Sequence, residues 1–167
     1  MAAVAMAAAY GVDLDVIRKS VLAFKGVEHR IEYVAEKNGV VYYNDSKGTN
    51  PDAAIKAVEA MVRPTIVIGG GYDKKNTYEE WIASFGDKVK CLVLLGETKD
   101  AIAATAKKAG FTNIIMTQSL QEAVEVSSRE AKSGDAVLLS PACASWDMFK
   151  SYEERGKLFK EYVRALQ

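Results

Sequence analysis

From Arg30 onward, apolar positions recur first with the period of strands and then, by turns, with the periods of helices and strands. Ile31 to Glu36 alternates, Asn38-Gly39 is a type I′ hairpin dipeptide, and Val40 to Tyr43 is a continuous β-prone run. Four more strand-like runs follow, at Thr65 to Ile68, Val89 to Leu95, Asn113 to Met116 and Ala136 to Ser140. Between them the spacing becomes helical. Pro51 to Val62 carries Ile55, Val58 and Val62 on one face, with Pro51 at the first helical position. Tyr78 to Phe85 is short, Asp100 to Ala109 ends at Gly110, and Ser119 to Lys132 opens on the capping pair Ser119 and Glu122. Glu153 to Leu166 shows an apolar stripe of Leu158, Phe159, Tyr162, Val163 and Leu166. Apolar strands alternating with crossover-length helices predict an α/β fold. The expected form is a Rossmann-like, mostly parallel sheet with helices on both faces and an antiparallel edge hairpin.

The first 28 residues do not fit that scheme. Ala2 to Ala9 favours helix and stops at Gly11; Asp13 then caps a second helix through Phe24, with Val16, Ile17, Val21 and Phe24 on one face. These helices have no sheet of their own. Residues 1–26 are therefore expected to be the helical end of a preceding domain, and 27–167 a domain with its own core. The uncapped Ala-rich start looks like a helix cut in half. It is too short to span a bilayer and lacks the basic flank of a signal peptide.

Composition narrows the partners. Lys+Arg and Asp+Glu both number 22 in 167 residues. A net charge of zero argues against nucleic acid and against anionic membranes. Cys91 and Cys143 form no CxxC pair, and a single histidine leaves no zinc-type ligand set. Both read as reduced thiols of a cytoplasmic protein, expected to be a monomer.

In open α/β sheets ligands bind beyond the carboxyl ends of the strands, and three polar loops fall there. The first is Asn44-Asp45-Ser46-Lys47-Gly48-Thr49-Asn50, at a helix N-terminus that favours an anion; it reads equally as a capped, solvated loop. The second is Gly69-Gly70-Gly71-Tyr72-Asp73-Lys74-Lys75. Its glycines permit close approach or positive φ, and Lys74 can reach an anion, although a glycine run more often marks a plain turn. The third runs from Ser140 through Cys143 and Ser145 to Asp147. Here the plainer reading makes Ser145 a helix cap, with Trp146 and Phe149 in the core. Cys143 has no evident base partner for nucleophilic work. His29-Arg30 stands at the expected domain junction. Nowhere in the chain is there a GxxxxGK[ST] phosphate loop or a GxGxxG followed by a ribose-binding acid.

At these same residues the chain resembles the Mur ligases, most closely the branch that joins D-glutamate to UDP-N-acetylmuramoyl-L-alanine. The matching pieces are GVEHRIE (26–32), NDSKGTNPDA (44–53), GGGYDK (69–74), LLGET (94–98) and LLSPACASWDMFKSYEERGKLF (138–159). Other branches, and the similar folylpolyglutamate synthetases, carry an acidic-Asn-Pro or His-Asn-Pro motif where this chain has DSK-x-TN. The resemblance implies three domains, of which this chain would hold the third, and an acyl-phosphate route driven by ATP with Mg2+ and a carbamylated lysine in the central domain. It implies that Thr49, Lys74, Ser145 and Tyr152 hold the D-glutamate carboxylates. The last of these is often Phe in the family, which leaves apolar packing as its other reading. Asp45 and Lys47 would approach ATP near the phosphates, and His29 and Arg30 the nucleotide side. Gly69, Gly70, Gly71 and Ser140 would support the loops, with no metal ligands in this chain. A chain without the phosphate loop is expected to be inactive alone and to bind no cofactor tightly. Two other readings stay open: a non-catalytic nucleotide- or amino-acid-binding module, and an interaction domain using the apolar residues 1–28.

Overall fold

A computed structural model of the chain describes residues 2–24 and 26–167. Helices α1 (Ala2–Ala9) and α2 (Leu14–Ala23) precede strands β1 (Glu32–Lys37) and β2 (Val40–Asn44). Then come α3 (Pro51–Glu59), β3 (Thr65–Gly69), α4 (Glu79–Ala83), β4 (Val89–Leu94), α5 (Lys99–Lys108), β5 (Ile114–Met116), α6 (Leu120–Glu130), β6 (Ala136–Leu139) and α7 (Tyr152–Ala165). The six strands lie in the order β1-β2-β6-β3-β4-β5. Only the β1–β2 pair is antiparallel. Its turn has Asn38 and Gly39 at φ 52° and 78°, as a type I′ hairpin requires.

Successive side chains of the central strands point to opposite faces and meet different helices. Val67, Leu92, Leu94 and Leu138 pack under α3, α4 and α5 with Trp81 and Ile102. Ile66, Ile68, Val93, Val137 and Leu139 pack under α6 and α7 with Val124, Phe159 and Val163. Both faces are dry, which is why these strands read as unbroken apolar runs. The two thiols fall on opposite faces, Cys143 in the first core and Cys91 in the second. They cannot bridge.

Two expectations about helix faces need correction. Val62 is 95% exposed, because α3 stops at Glu59. The chain turns there with Met61 N–H bonded to Val58 O, and Met61 takes the core position. In α2 only Ile17 is buried, while Val16, Val21 and Phe24 are more than half exposed. Part of that face meets α1 across an apolar cleft lined by Ala3, Val4, Ala7, Val16, Ile17 and Val21. No helix among the described residues is long and apolar enough to cross a membrane.

Candidate functional site

The neighbours β2, β6 and β3 run parallel, so their carboxyl ends share one rim, and all three polar loops emerge there. Lys47, Ser145 and Lys74 therefore come to the same edge of the sheet. The loops are tied to one another. Ser140 Oγ donates to Asp45 Oδ2 at 2.8 Å, Gly70 N–H to Pro141 O at 2.9 Å, and Tyr72 N–H to Ala144 O at 2.9 Å. Asp45 is buried, and that burial lifts its carboxyl to about 6 against the opposing hydrogen bonds from Ser140 and the Ile31 amide. Thr49, half-buried, leads into α3, whose N-cap is Asn50: its Oδ1 accepts from Ala53 N–H at 2.9 Å, with Pro51 next. The loop is thus capped, as the plain reading holds, but not solvated: Asn44, Asp45 and Ser46 are buried, and the loop lies on the rim.

The glycine run is used by the protein itself. A Cβ on Gly70 would lie 2.1 Å from Leu95 O, and one on Gly71 2.3 Å from Ala144 O, at φ 101° and 147°. Thr98, from the β4 end, holds Gly71 on both sides: Gly71 N–H donates to its Oγ1 and that hydroxyl donates to Gly71 O. Beyond this fixed backbone the two lysines differ. Lys75 pairs with Asp73 at 2.9 Å, whereas Lys74 is exposed and makes no ion pair among the described residues.

The third loop departs from expectation twice. Ser145 does not cap a helix; Met148 and Phe149 N–H turn back onto Ser145 O, and α7 is capped instead by Ser151, which accepts from Glu154 N–H. Trp146 is not core but 64% exposed. The turn presents it outward, while Asp147 behind it accepts from Glu97 N–H at 3.0 Å. Cys143 is buried with Tyr78 OH and Thr98 Oγ1 each 3.3 Å from its sulfur. Burial pushes its thiol up, which suits a packing residue and not a nucleophile.

Beneath these loops lies a residue that the sequence reading passed over. Arg155 of α7 is 2% exposed. Its Nε donates to Ser46 Oγ at 3.0 Å, one terminal nitrogen to Cys143 O and Ala144 O at 3.2 and 3.3 Å, the other to Ser46 O and Cys143 O at 2.8 and 3.2 Å. One guanidinium thus laces the β2 loop to the β6 loop. Burial lowers it to about 10, so it stays charged at neutral pH. A signal was present: Arg155, Phe159 and Val163 recur at intervals of four, so a charge sits in the apolar stripe of α7.

His29 is buried, with φ 64°. Asn44 Nδ2 lies 2.9 Å from its Nδ1, and since Asn44 Oδ1 already accepts from Ser46 N–H, the amide is the donor. Burial also lowers the imidazole below its usual range. The ring is therefore neutral at pH 7 with its proton on Nε2. Tyr152 meets His29 edge-on at 5.9 Å, and Lys47 Nζ stands 5.5 Å over the Tyr152 ring. His29, Lys47 and Tyr152 thus form one group, with Arg30 exposed next to it in the chain. Glu28, His29 and Glu32 are close enough to suggest a metal triad. The Lys160 ammonium already fills that role, 2.7 Å from Glu28 and 3.0 Å from Glu32. A metal ion does not fit beside it.

Comparison with known proteins agrees with this architecture. The model of the family described as "Mur ligase, glutamate ligase domain" matches residues 29–143. The chain belongs to the Mur ligase family. Among curated Mur ligases, the UDP-N-acetylmuramoylalanine–D-glutamate ligase of Lachnoclostridium phytofermentans is 60% identical over the whole chain, and that of Lachnospira eligens 59% over 99% of it. The chain spans 37% of the length of each. A solved UDP-N-acetylmuramate–alanine ligase from Thermotoga maritima superposes over 97% of this chain and 36% of its own, with TM-score 0.69 at 15% identity. A Mycobacterium tuberculosis folylpolyglutamate synthase, solved with ADP and AMPPCP, does so over 92% and 37%, with TM-score 0.64 at 14% identity. At such identity these two establish the fold only. The family match covers the Mur ligase sheet and the first two polar loops; the last loop and α7 are covered by the full-length alignments to the curated relatives.

Proposed function

We propose that this chain is the C-terminal, amino-acid-binding domain of a cytoplasmic, ATP-dependent ligase that joins D-glutamate to UDP-N-acetylmuramoyl-L-alanine for peptidoglycan synthesis. What supports this most is the rim itself: three polar loops on adjacent strand ends, locked by Arg155, with Lys74 beside them making no ion pair among the described residues. A dicarboxylate needs cations and donors that converge without rearranging, and this rim supplies them. Residues 27–167 form that domain, and 1–26 belong to the end of the central one. Lys74, Thr49 and Ser145 hold the D-glutamate carboxylates, with Tyr152 packing at the inner edge. Asp45, Lys47, His29 and Arg30 face the nucleotide. Neutral His29 adds no charge on the nucleotide side that it lines with Arg30, while Asp45 and Lys47 approach the phosphates.

In the complete ligase the γ-phosphoryl group of ATP passes to the muramoyl-alanine carboxylate. The D-glutamate amine then attacks the acyl carbon. A C–N bond forms, the bond to the phosphate oxygen breaks, phosphate leaves with the electron pair, and the amine loses a proton. Water would hydrolyse the acyl phosphate, so this domain must close over the donor. Magnesium belongs to that chemistry but not to these residues. Without a phosphate loop of its own, the 167-residue chain turns nothing over and acts as a monomer.

The test is a titration of the chain with D-glutamate followed through its backbone amide resonances. Weak, saturable shifts at Lys74 and Ser145 that vanish in Lys74→Ala are expected. Equal affinity in Lys74→Ala would remove the carboxylate role, and tight ATP binding by the chain alone would contradict a site shared with other domains.

A further inference from the structure

Two aromatic side chains remain unexplained by the charges on the rim. Tyr72 and Trp146 are 38% and 64% exposed, and their rings meet at 5.5 Å and 59°. Each belongs to a loop that carries a proposed carboxylate-holding residue: Trp146 follows Ser145, and Tyr72 stands two before Lys74. The loops are zipped at this point by an isolated antiparallel bridge between Tyr72 and Ala144. Their bases are fixed. Ser145 is buried, Asp147 is bound to the Glu97 amide, and Gly71 is clamped by Thr98. Fixed bases with open ring faces make a wall that is already in place before any ligand arrives.

We propose that Tyr72 and Trp146 form the outer wall of the amino-acid site and read the length of the ligand's apolar chain. This rests on the carboxylate site proposed above and deepens it. Lys74 and Ser145 can hold charges, but a dicarboxylic amino acid with two methylenes also presents a hydrocarbon edge that no charged group recognises. An indole offers broad apolar area with little rotamer freedom to lose, and it keeps water from that edge. The pair thereby adds affinity and selects glutamate over its shorter homologue, aspartate, which reaches the same charges without filling the wall.

The chain carries its own reporter. It has two tryptophans, and the other, Trp81, is fully buried in the core. In a D-glutamate titration of the whole chain, the Trp146 indole N–H resonance is expected to shift with the same midpoint as the Lys74 amide, while that of Trp81 stays still. Trp146→Ala should weaken D-glutamate by roughly three- to tenfold, Trp146→Phe should recover most of that, and D-aspartate should lose little in Trp146→Ala. The residue is exposed, so the variants keep the fold, which the remaining amide resonances verify. Lys74 and Ser145 shifts without a Trp146 shift, or Trp146→Ala binding D-glutamate as tightly as the parent, overturns the wall and leaves the carboxylate site standing. No shift anywhere at roughly 100 mM D-glutamate, a concentration equivalent to less than 1.5 kcal/mol of binding, overturns the site and the wall together.

Discussion

Replacing Arg155 with Met keeps most of the side-chain volume and removes every donor. Four acceptors depend on that guanidinium: Ser46 O, Ser46 Oγ, Cys143 O and Ala144 O. Ala144 O still receives Tyr72 N–H, and the Ser46 hydroxyl still donates to Tyr152 O at 2.8 Å. That leaves the Ser46 and Cys143 carbonyls stranded in a dry interior, each at about 1–3 kcal/mol. Against this, a buried charge no longer has to be desolvated, which returns part of the loss. The balance is a net destabilisation of about 2–4 kcal/mol, read as a shifted midpoint in urea unfolding with the slope unchanged. Arg155→Lys is expected to do no better, because an ammonium cannot reach carbonyls on both loops in one plane. Both variants should also broaden or move the amide resonances of Ser46 and Cys143, and weaken D-glutamate through the uncoupled loops. An Arg155→Met protein within about 1 kcal/mol of the parent, with those resonances in place, would refute the lacing argument.

Asp45 makes stability depend on pH in a direction opposite to most carboxylates. Burial raises it from 3.8 to about 6, so the folded state favours the protonated form. Its contribution is full below pH 4 and is lost as pH rises through about 6, on the order of 2–3 kcal/mol; Asp45→Asn should flatten that slope in unfolding curves taken between pH 4 and 8. At Gly156 an added Cβ would lie 2.2 Å from His29 Nδ1, so Gly156→Ala should displace the imidazole and free it to titrate nearer its ordinary value, visible in the ring's proton resonances. An unshifted histidine titration in that variant would mean the helix and ring are less tightly packed than the contact implies.

Much of this molecule can be read before it is folded, and the exceptions share a cause. Strands buried on both faces leave continuous apolar runs such as Thr65 to Ile68, and α7 leaves a stripe, because both report only local periodicity. The three polar loops were legible because each follows such a strand directly. Their adjacency was not, since it depends on β6 returning between β2 and β3. The uses of Arg155 were hidden for a similar reason: its partner Ser46 lies 109 residues away and is met partly through a backbone carbonyl, which has no signature in sequence. The glycines at 70 and 71 suggested room for a ligand, yet the room is taken by Leu95 O and Ala144 O. Trp146 next to Phe149 looked like core, and only the turn at Ser145 decides that it faces out.

The rim's electrostatics follow from how each positive charge is used. Lys75 is cancelled by Asp73, and Lys160 by Glu28 and Glu32. Arg155 is satisfied differently, by carbonyls and a hydroxyl, and makes no ion pair among the described residues. Its hydrogen bonds are filled but its charge is not neutralised by a contact, so a fixed positive centre lies under the loops that carry Lys47 and Ser145. Burying such a charge is costly, and part of that cost is offset by the carbonyls that only this guanidinium satisfies. The cost makes sense if the charge is needed where it is. A chain of zero net charge thus sets one immobile cation below the rim and the Lys74 ammonium above it, among the carboxylates of Asp147 and Asp45 that act on the guanidinium. Because the guanidinium is buried, its charge is screened less by salt than that of a surface lysine. The same residue that fixes the shape of the site thus also sets a positive charge beneath it.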